Sequence, residues 1–322
     1  EVLNLYKSGV ILAICSKNNI KDVEEVFEKR EDMLLKLSDF TIVKANWNNK
    51  ADNLIQISKE LNIGLDSIVF VDDSKFEINL VNKFLPEVKT IHLEKERSEQ
   101  NRLKLASSNY FLTSILTKED RLRNKMYKEE FKRTELKKKI VSIDEYLKSL
   151  DLQAIVRTPK NKDLKRVEQM TQRTNQFNLT TKRYDSQGVQ QLYRSKKNYI
   201  YILEAKDKFG PYGTCGLIIL NIKNSDAIID IFLMSCRVIG RGIENLFLLE
   251  SLKQISKKEK SIKNFIGEFI STKKNDQVKD FYENNGFIKQ FSKKNSKKYS
   301  IQVKDLKNIK KKNYITLKKK FS

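Results

Sequence analysis

The sequence predicts two folded parts in series, an α/β part built on a parallel sheet and then an α+β part with antiparallel strands. Three observations carry this reading. Over residues 1–94, short apolar runs alternate with helix-periodic stretches, which is the rhythm of βαβ units. Over residues 95–150 charge dominates and the spacing is helical, so this stretch reads as a helical connector. Over residues 151–322 strand-like runs outnumber helical ones, as in antiparallel sheets with helices packed on them.

The chain opens on Glu1-Val2-Leu3 without Met and enters a helical pattern at once. A signal peptide looks different, and a piece of a longer protein is expected. Residues 10–15 (VILAIC) form a buried strand, 21–29 a helix, and 51–61 (ADNLIQISKEL) a second helix with period near 3.6. Asn62-Ile63-Gly64 stops that helix, with Gly64 as the cap. Residues 67–71 (SIVFV) are a second buried strand ending in Asp72-Asp73, and 88–93 a third. Residues 109–116 have helical spacing, Thr117 to Asp120 read as a capping box, and a charged helix runs on to about Lys139.

In the second part, 152–157 is a strand, 163–171 a helix, and 199–206 with 214–221 an antiparallel pair. Further strands are expected at 228–234 and 265–270, and a short helix at 276–283. The stretch 228–252 is the most informative. An apolar run leads into Arg237-Val238-Ile239-Gly240-Arg241-Gly242, and then Ile243, Leu246, Phe247 and Leu249 repeat with helical spacing. Two glycines permit a tight turn and close approach of a ligand, and a helix N-terminus favours an anion. Those features suit a pyrophosphate; the same residues also suit a plain strand–turn–helix corner.

Composition narrows the class. At 322 residues, 39% of them hydrophobic and 33% charged, the chain is long enough for two cores. Its longest apolar runs fall far short of the roughly 20 residues of a membrane span, so no membrane is expected. Cys15, Cys215 and Cys236 are odd in number and form no C-x-x-C pair. That argues against disulfides and zinc, and for a reducing, cytoplasmic setting. His92 is the only histidine, which excludes His-based metal clusters, makes it the only possible base of a Ser-His or Cys-His triad, and leaves catalysis mainly to carboxylates, thiols, Lys and backbone dipoles. The formal net charge of +23 invites a nucleic-acid reading, yet Lys far outnumbers Arg and the charge is scattered except in the C-terminal tail. Attraction to an acidic partner protein accounts for it equally well.

Two constellations carry chemistry. Asp72 and Asp73 end a strand and place two hard oxygen donors at a sheet edge, where Mg²⁺ and a phosphate could meet. Ser16 ends another strand, and Lys50 opens a helix that reaches the same edge. Ser16, Lys50 and Asp72-Asp73 resemble three motifs of the haloacid dehalogenase (HAD) phosphotransferases. That resemblance implies a phosphoryl group held by Ser16 and Lys50, and Mg²⁺ held by Asp72 and Asp73. The family's D-x-D-x-T strand is absent and is expected before Glu1, so the chain as it stands is not expected to form the aspartyl-phosphate or complete the metal site.

The second half resembles the GNAT acyltransferases. Residues 237–242 match their R/Q-x-x-G-x-G/A loop, and Asn275 with Phe281-Tyr282 and Gly286-Phe287 matches a later segment in which the Tyr lies near the acyl thioester. The resemblance implies that Arg237, Gly240, Arg241, Gly242 and Asn275 bind a phosphopantetheine or CoA thioester. The phrases CSKNN, LNIGLDS-x-VFVDD, TQRTNQFNLTTKRY and FLMSCRVIGRGIE, in this order, resemble the FkbH-like family, a HAD domain joined to a GNAT-like one. It implies transfer of a glyceryl unit from 1,3-bisphosphoglycerate, through an enzyme thioester, to the phosphopantetheine of an acyl carrier protein. Cys15, beside Ser16, is the first candidate for the acyl-carrying thiol, and Cys236, beside Arg237, the second. Thr174, Asn175, Gln176 and Asn178 form either a site for a hydroxylated substrate or a turn network. Ile78 and Pro211 depart from the family pattern. The competing expectations are an N-acyltransferase that uses acyl-CoA on an amino sugar or amine, with the first half structural, and a non-enzymatic basic binder.

Overall fold

The computed structural model describes residues 1–111, 117, 120, 122–309 and 312–321. The chain divides into two compact units, Glu1–Lys132 and Arg133–Ser322. Residues 112–116, part of a stretch read as helical, and Lys118 and Glu119 of the capping box lie outside the described residues. The reciprocal bonds of that box are nonetheless made by Thr117 and Asp120.

In the first unit, α1 (Val2–Lys7) leads to β1 (Leu12–Ser16), α2 (Ile20–Lys29), β2 (Phe40–Ala45) and α3 (Lys50–Leu61). Then come β3 (Val69–Asp72), α4 (Lys75–Phe84), β4 (Lys89–His92) and α5 (Ser98–Ala106). β1 pairs with β2, and β3 with β4, both in parallel. The helices are started by polar caps: Asn49 accepts from Ala51 N–H at 2.8 Å, and Ser74 Oγ from Glu77 N–H. Leu54, Ile57, Phe70, Ile78 and Val81 form the core under them. The strand β2 escapes the sequence reading because FTIVKA is short and mixed in polarity. The C-terminal cap of α3 is also corrected: Asn62, at φ 51°, takes the left-handed position, while Gly64 is extended and starts a 3-10 turn. Asn tolerates that conformation better than other side chains do.

α6 (Arg123–Lys139) follows. The second unit holds α7 (Ile143–Ser149), β5 (Gln153–Arg157), α8 (Leu164–Arg173), α9 (Ser186–Arg194), β6 (Asn198–Asp207), β7 (Gly210–Lys223) and β8 (Asp226–Met234). It continues through α10 (Ile243–Lys258), β9 (Asn264–Ile270), α11 (Phe281–Asn284), β10 (Ile288–Lys293), β11 (Ser296–Gln302) and β12 (Thr316–Lys320). Eight strands form one mixed sheet in the order β10-β11-β9-β8-β7-β6-β5-β12. Alternate residues of β6 and β7 face opposite ways: Tyr201 and Leu203 join the core that includes α10, and Ile200 and Ile202 the one that includes α8 and α9. Burial on both faces explains the near-continuous apolar runs.

Three features here are not read from the sequence. α9 starts at the Asp185 cap. β10 and β11 form a hairpin, and the Lys-rich tail supplies the edge strand β12, paired in parallel with β5. Lysines on an edge strand discourage further pairing. The helix expected at 276–283 is broken into a 3-10 turn, Asp276–Val278, and the single turn of α11.

The parallel neighbours β8 and β9 pair only from Asp226 to Ile228, opposite Asn264 to Ile266. Beyond that they part, and the segment 177–179 fills the gap. Leu179 N–H donates to Phe232 O (3.1 Å), Met234 N–H to Phe177 O (2.9 Å), and Ile270 N–H to Leu179 O (2.8 Å).

The Asn62 geometry has a direct consequence. Asn62→Gly is expected to keep stability within a few tenths of a kcal/mol, and Asn62→Val to lower it by about 1–2 kcal/mol. Urea unfolding of both variants checks this.

Candidate functional site

Of the residues singled out in the first unit, Cys15, Lys50 and Asp72 meet at the C-terminal ends of β1 and β3. Lys50, the first residue of α3, points its Nζ at Asp72 Oδ2 (2.6 Å), and the other Asp72 oxygen accepts Ser74 N–H at 2.9 Å. Both partners are largely buried, so the pair is screened little by water. Cys15 Sγ lies 3.7 Å from Lys50 O. Burial pushes its thiol up to about 11; Lys50 draws it down, while Asp72 and Glu77 push it further up. Ser16, half-buried, is the last residue of β1. Glu77, not a candidate from the sequence, joins this edge. It is buried, paired with Lys17 at 2.7 Å, and its Oε2 has no hydrogen-bond partner. Its signal was the position one helical turn into α4, directly after the Asp72-Asp73 strand end.

Asp73 stands apart from this cluster: it is exposed, with Lys95 Nζ 3.9 Å away. His92 Nε2 lies 3.1 Å from Asp73 O, so that nitrogen carries the proton. Among the described residues no group of three His, Cys, Asp or Glu is placed to hold a metal ion. Asp72 and Asp73 therefore offer only a partial set for Mg²⁺: both Asp72 oxygens are engaged, by Lys50 and Ser74 N–H, and Asp73 is exposed.

In the second unit, β8 runs into a 3-10 turn, Cys236–Val238, and then into Gly240 and Gly242, both left-handed at φ 77° and 74°. Gly242 sits at the N-cap of α10 without a side-chain cap. A Cβ built on Gly240 would meet nothing within 4 Å, so the loop is open at that point. Cys236 is half-buried, and the half-buried Arg237 donates to Tyr212 O at 3.3 Å. Arg241 turns inward. Only 6% exposed, it lies over the Tyr212 ring at 4.9 Å, with Nη1 3.9 Å from Asp207.

That Asp207 is a buried hub with no signature in the sequence. Arg133 grips it with two bonds of 2.7 Å, and Tyr212 donates its hydroxyl at 2.6 Å. Arg133 also stacks on Tyr212 at 4.2 Å. Asn275 is fully buried and committed to the fold: it accepts from Thr272 N–H and donates to Asn178 O and Ile270 O. Asn178 in turn accepts from Thr181 N–H, so within the polar cluster Asn178 serves a turn network. Tyr282 packs between Phe287 and Tyr299, at 4.9 and 5.4 Å, with its ring against Gly267. Its hydroxyl is buried without a partner, and burial holds it protonated well above the ordinary tyrosine range.

No protein-family model and no curated protein matches the chain. Among solved structures it matches the N-terminal part of a Bacteroides fragilis protein containing a phosphatase domain complexed with Mg. The identity is 43%, over 35% of this chain and 30% of that one, with a TM-score of 0.34. The chain thus spans about a third of that relative. It also matches spermidine N-acetyltransferase from Vibrio cholerae, in complex with CoA and spermine, at 16% identity over 48% of this chain and 99% of that one (TM-score 0.38). A third match is the ribosomal-protein-S18-alanine N-acetyltransferase from Escherichia coli, at 11% identity over 47% and 94% of the two chains (TM-score 0.37). Among the described residues of this chain no helix is long and apolar enough to cross a membrane.

Two expectations follow from these contacts. Asp207→Ala strands Arg133 in the core and is expected to cost about 3–5 kcal/mol in urea unfolding; a loss below about 1 kcal/mol would show that the pair is not buried in solution. Tyr282→Phe removes a hydroxyl that has no partner, so its unfolding midpoint should match or exceed that of the wild type. A drop of more than about 1 kcal/mol would reveal a hydrogen bond there.

Proposed function

We propose that the protein is an acyl transferase of the FkbH-like kind. It moves a three-carbon acyl group, glyceryl, from an acyl phosphate such as 1,3-bisphosphoglycerate to the phosphopantetheine thiol of an acyl carrier protein. The observation that carries this reading is the meeting of Cys15, Lys50 and Asp72 at one edge of the phosphatase-like part. A thiol stands beside a cation suited to a phosphate, which is the pairing needed to exchange an acyl phosphate for a thioester.

The bonds balance simply. The Cys15 sulfur attacks the acyl carbon, the carbon–oxygen bond to phosphate breaks, and the thiol proton leaves with the phosphate. A carrier thiol then takes the acyl group and returns a proton to Cys15. Lys50, held by Asp72, is positioned to meet the negative charge of the departing phosphate. The formal net charge of +23 suits an acidic carrier protein as partner. The open position at Gly240 favours a second reading, an N-acyltransferase that binds acyl-CoA at this loop.

The test uses the full-length protein, a three-carbon acyl phosphate and a carrier protein with its phosphopantetheine attached. Intact mass spectrometry should show the carrier gaining one glyceryl group. Cys15→Ser is expected to abolish the gain, and Lys50→Ala to slow it by at least about 100-fold. Undiminished transfer by Cys15→Ser would remove Cys15 from the mechanism, and acetyl-CoA turnover on an amine without carrier loading would favour the second reading.

A further inference from the structure

Three connections leave the strand ends near which Cys15, Lys50 and Asp72 meet, and each carries a large apolar side chain in water. Ile20 opens α2 after β1, Trp47 lies between β2 and α3, and Phe76 is the second residue of α4 after β3. They are 41%, 69% and 67% exposed. Single exposed apolar side chains are ordinary on a protein surface. These three differ in sharing one edge, and in the bonds that tie their loops to the reacting groups. Trp47, on the loop that leads into Lys50, donates its indole N–H to Asn19 Oδ1 at 3.1 Å, beside Ile20. Glu77, next to Phe76, receives the Lys17 ammonium at 2.7 Å, on the loop that follows Cys15. The Lys50–Asp72 bond closes the ring of contacts.

We propose that Trp47, Phe76 and Ile20 form an apolar rim that receives the pantetheine arm of the thiol substrate on its way to Cys15. The inference rests on the acyl-transfer reading for the identity of that thiol. The other substrate gives the rim nothing to hold, because a three-carbon acyl phosphate with hydroxyls is polar throughout. A pantetheine arm is a slender chain of amides and methyl-bearing carbon. Each ring of the rim stands between polar neighbours, Asn46 and Asn48 around Trp47, and Lys75 and Glu77 around Phe76. Isolated rings of this kind suit a narrow amphiphilic chain, whereas a protein partner's apolar core needs a continuous patch. The charge beside them fits what carries the arm. Lys21 and Lys75 flank Ile20 and Phe76, exposed and in no ion pair among the described residues, and an acidic carrier at the far end of the arm complements them.

Trp47 is the only tryptophan of the 322 residues, so its emission reports on the rim. The full-length protein is titrated with pantetheine while indole fluorescence is followed, and the same titration of Trp47→Phe isolates the signal of this residue. Pantetheine is expected to shift that signal toward the emission of a buried indole. Phe76→Ala, shown by circular dichroism to be folded, is expected to bind pantetheine about tenfold more weakly. Cysteamine, which keeps the thiol and lacks most of the arm, is expected to bind the wild type about tenfold more weakly than pantetheine does. The proposal is overturned by an unchanged Trp47 emission, by equal affinity in Phe76→Ala, or by equal binding of cysteamine. A Trp47 already shielded from iodide in the free protein also overturns it, because another segment or a second copy then holds the rim. No acyl phosphate or carrier protein enters these titrations. Rim binding without carrier loading therefore refutes the acyl-transfer reading alone, and loading without rim binding refutes the rim alone.

Discussion

Where β8 and β9 part, the backbone must still find partners for its N–H and C=O groups, and much of the second unit follows from that demand. A buried peptide group left unpaired costs as much as a lost hydrogen bond. Residues 177–179 answer it by bonding to both strands. Asn275 then fastens that segment and the end of β9 together with a single amide. At the same divergence β8 enters the loop of Arg237, Gly240 and Gly242, and α10 begins. Here the inward turn of Arg241 onto Tyr212 and Asp207 anchors the loop from below. Arg241 therefore serves the scaffold, while Gly240 remains open on the outer side.

The edge at the ends of β1 and β3 in the first unit is governed by charge. Asp72 and Glu77 place two carboxylates near Cys15, and Lys50 and Lys17 answer them one for one. The balance leaves the thiol protonated, because burial outweighs the single favourable cation.

The fold was legible wherever one physical signal dominated. The run 228–234, the glycines at 240 and 242 and the periodic 243–252 gave strand, loop and helix with boundaries close to those observed, because each glycine is needed for a left-handed turn. Legibility failed where tertiary context decides. FTIVKA becomes β2 only by pairing with β1, and the lysines of β12 become a strand only by pairing with β5. Asn62 displaced Gly64 as the helix cap, since the last turn of α3 ends two residues earlier than the glycine suggested. Of the candidate site, the spacing of Cys15, Lys50 and Asp72 was visible, and they do meet. Asn275 and Tyr282 were visible as a motif, but not their commitment to the core. Asp207 and Arg133 gave no signal, because a charged residue in a lysine-rich sequence looks solvated until its neighbours are known.

The account turns on Cys15 as the residue that holds the acyl group between donor and carrier. The most direct measurement is to mix the full-length protein with a three-carbon acyl phosphate, without carrier, quench in acid, and map the peptides by mass spectrometry. The account predicts one glyceryl group on the peptide that contains Cys15, released by a thiol. A label on the peptide containing Cys236, or an unmodified protein after full consumption of the acyl phosphate, would contradict it.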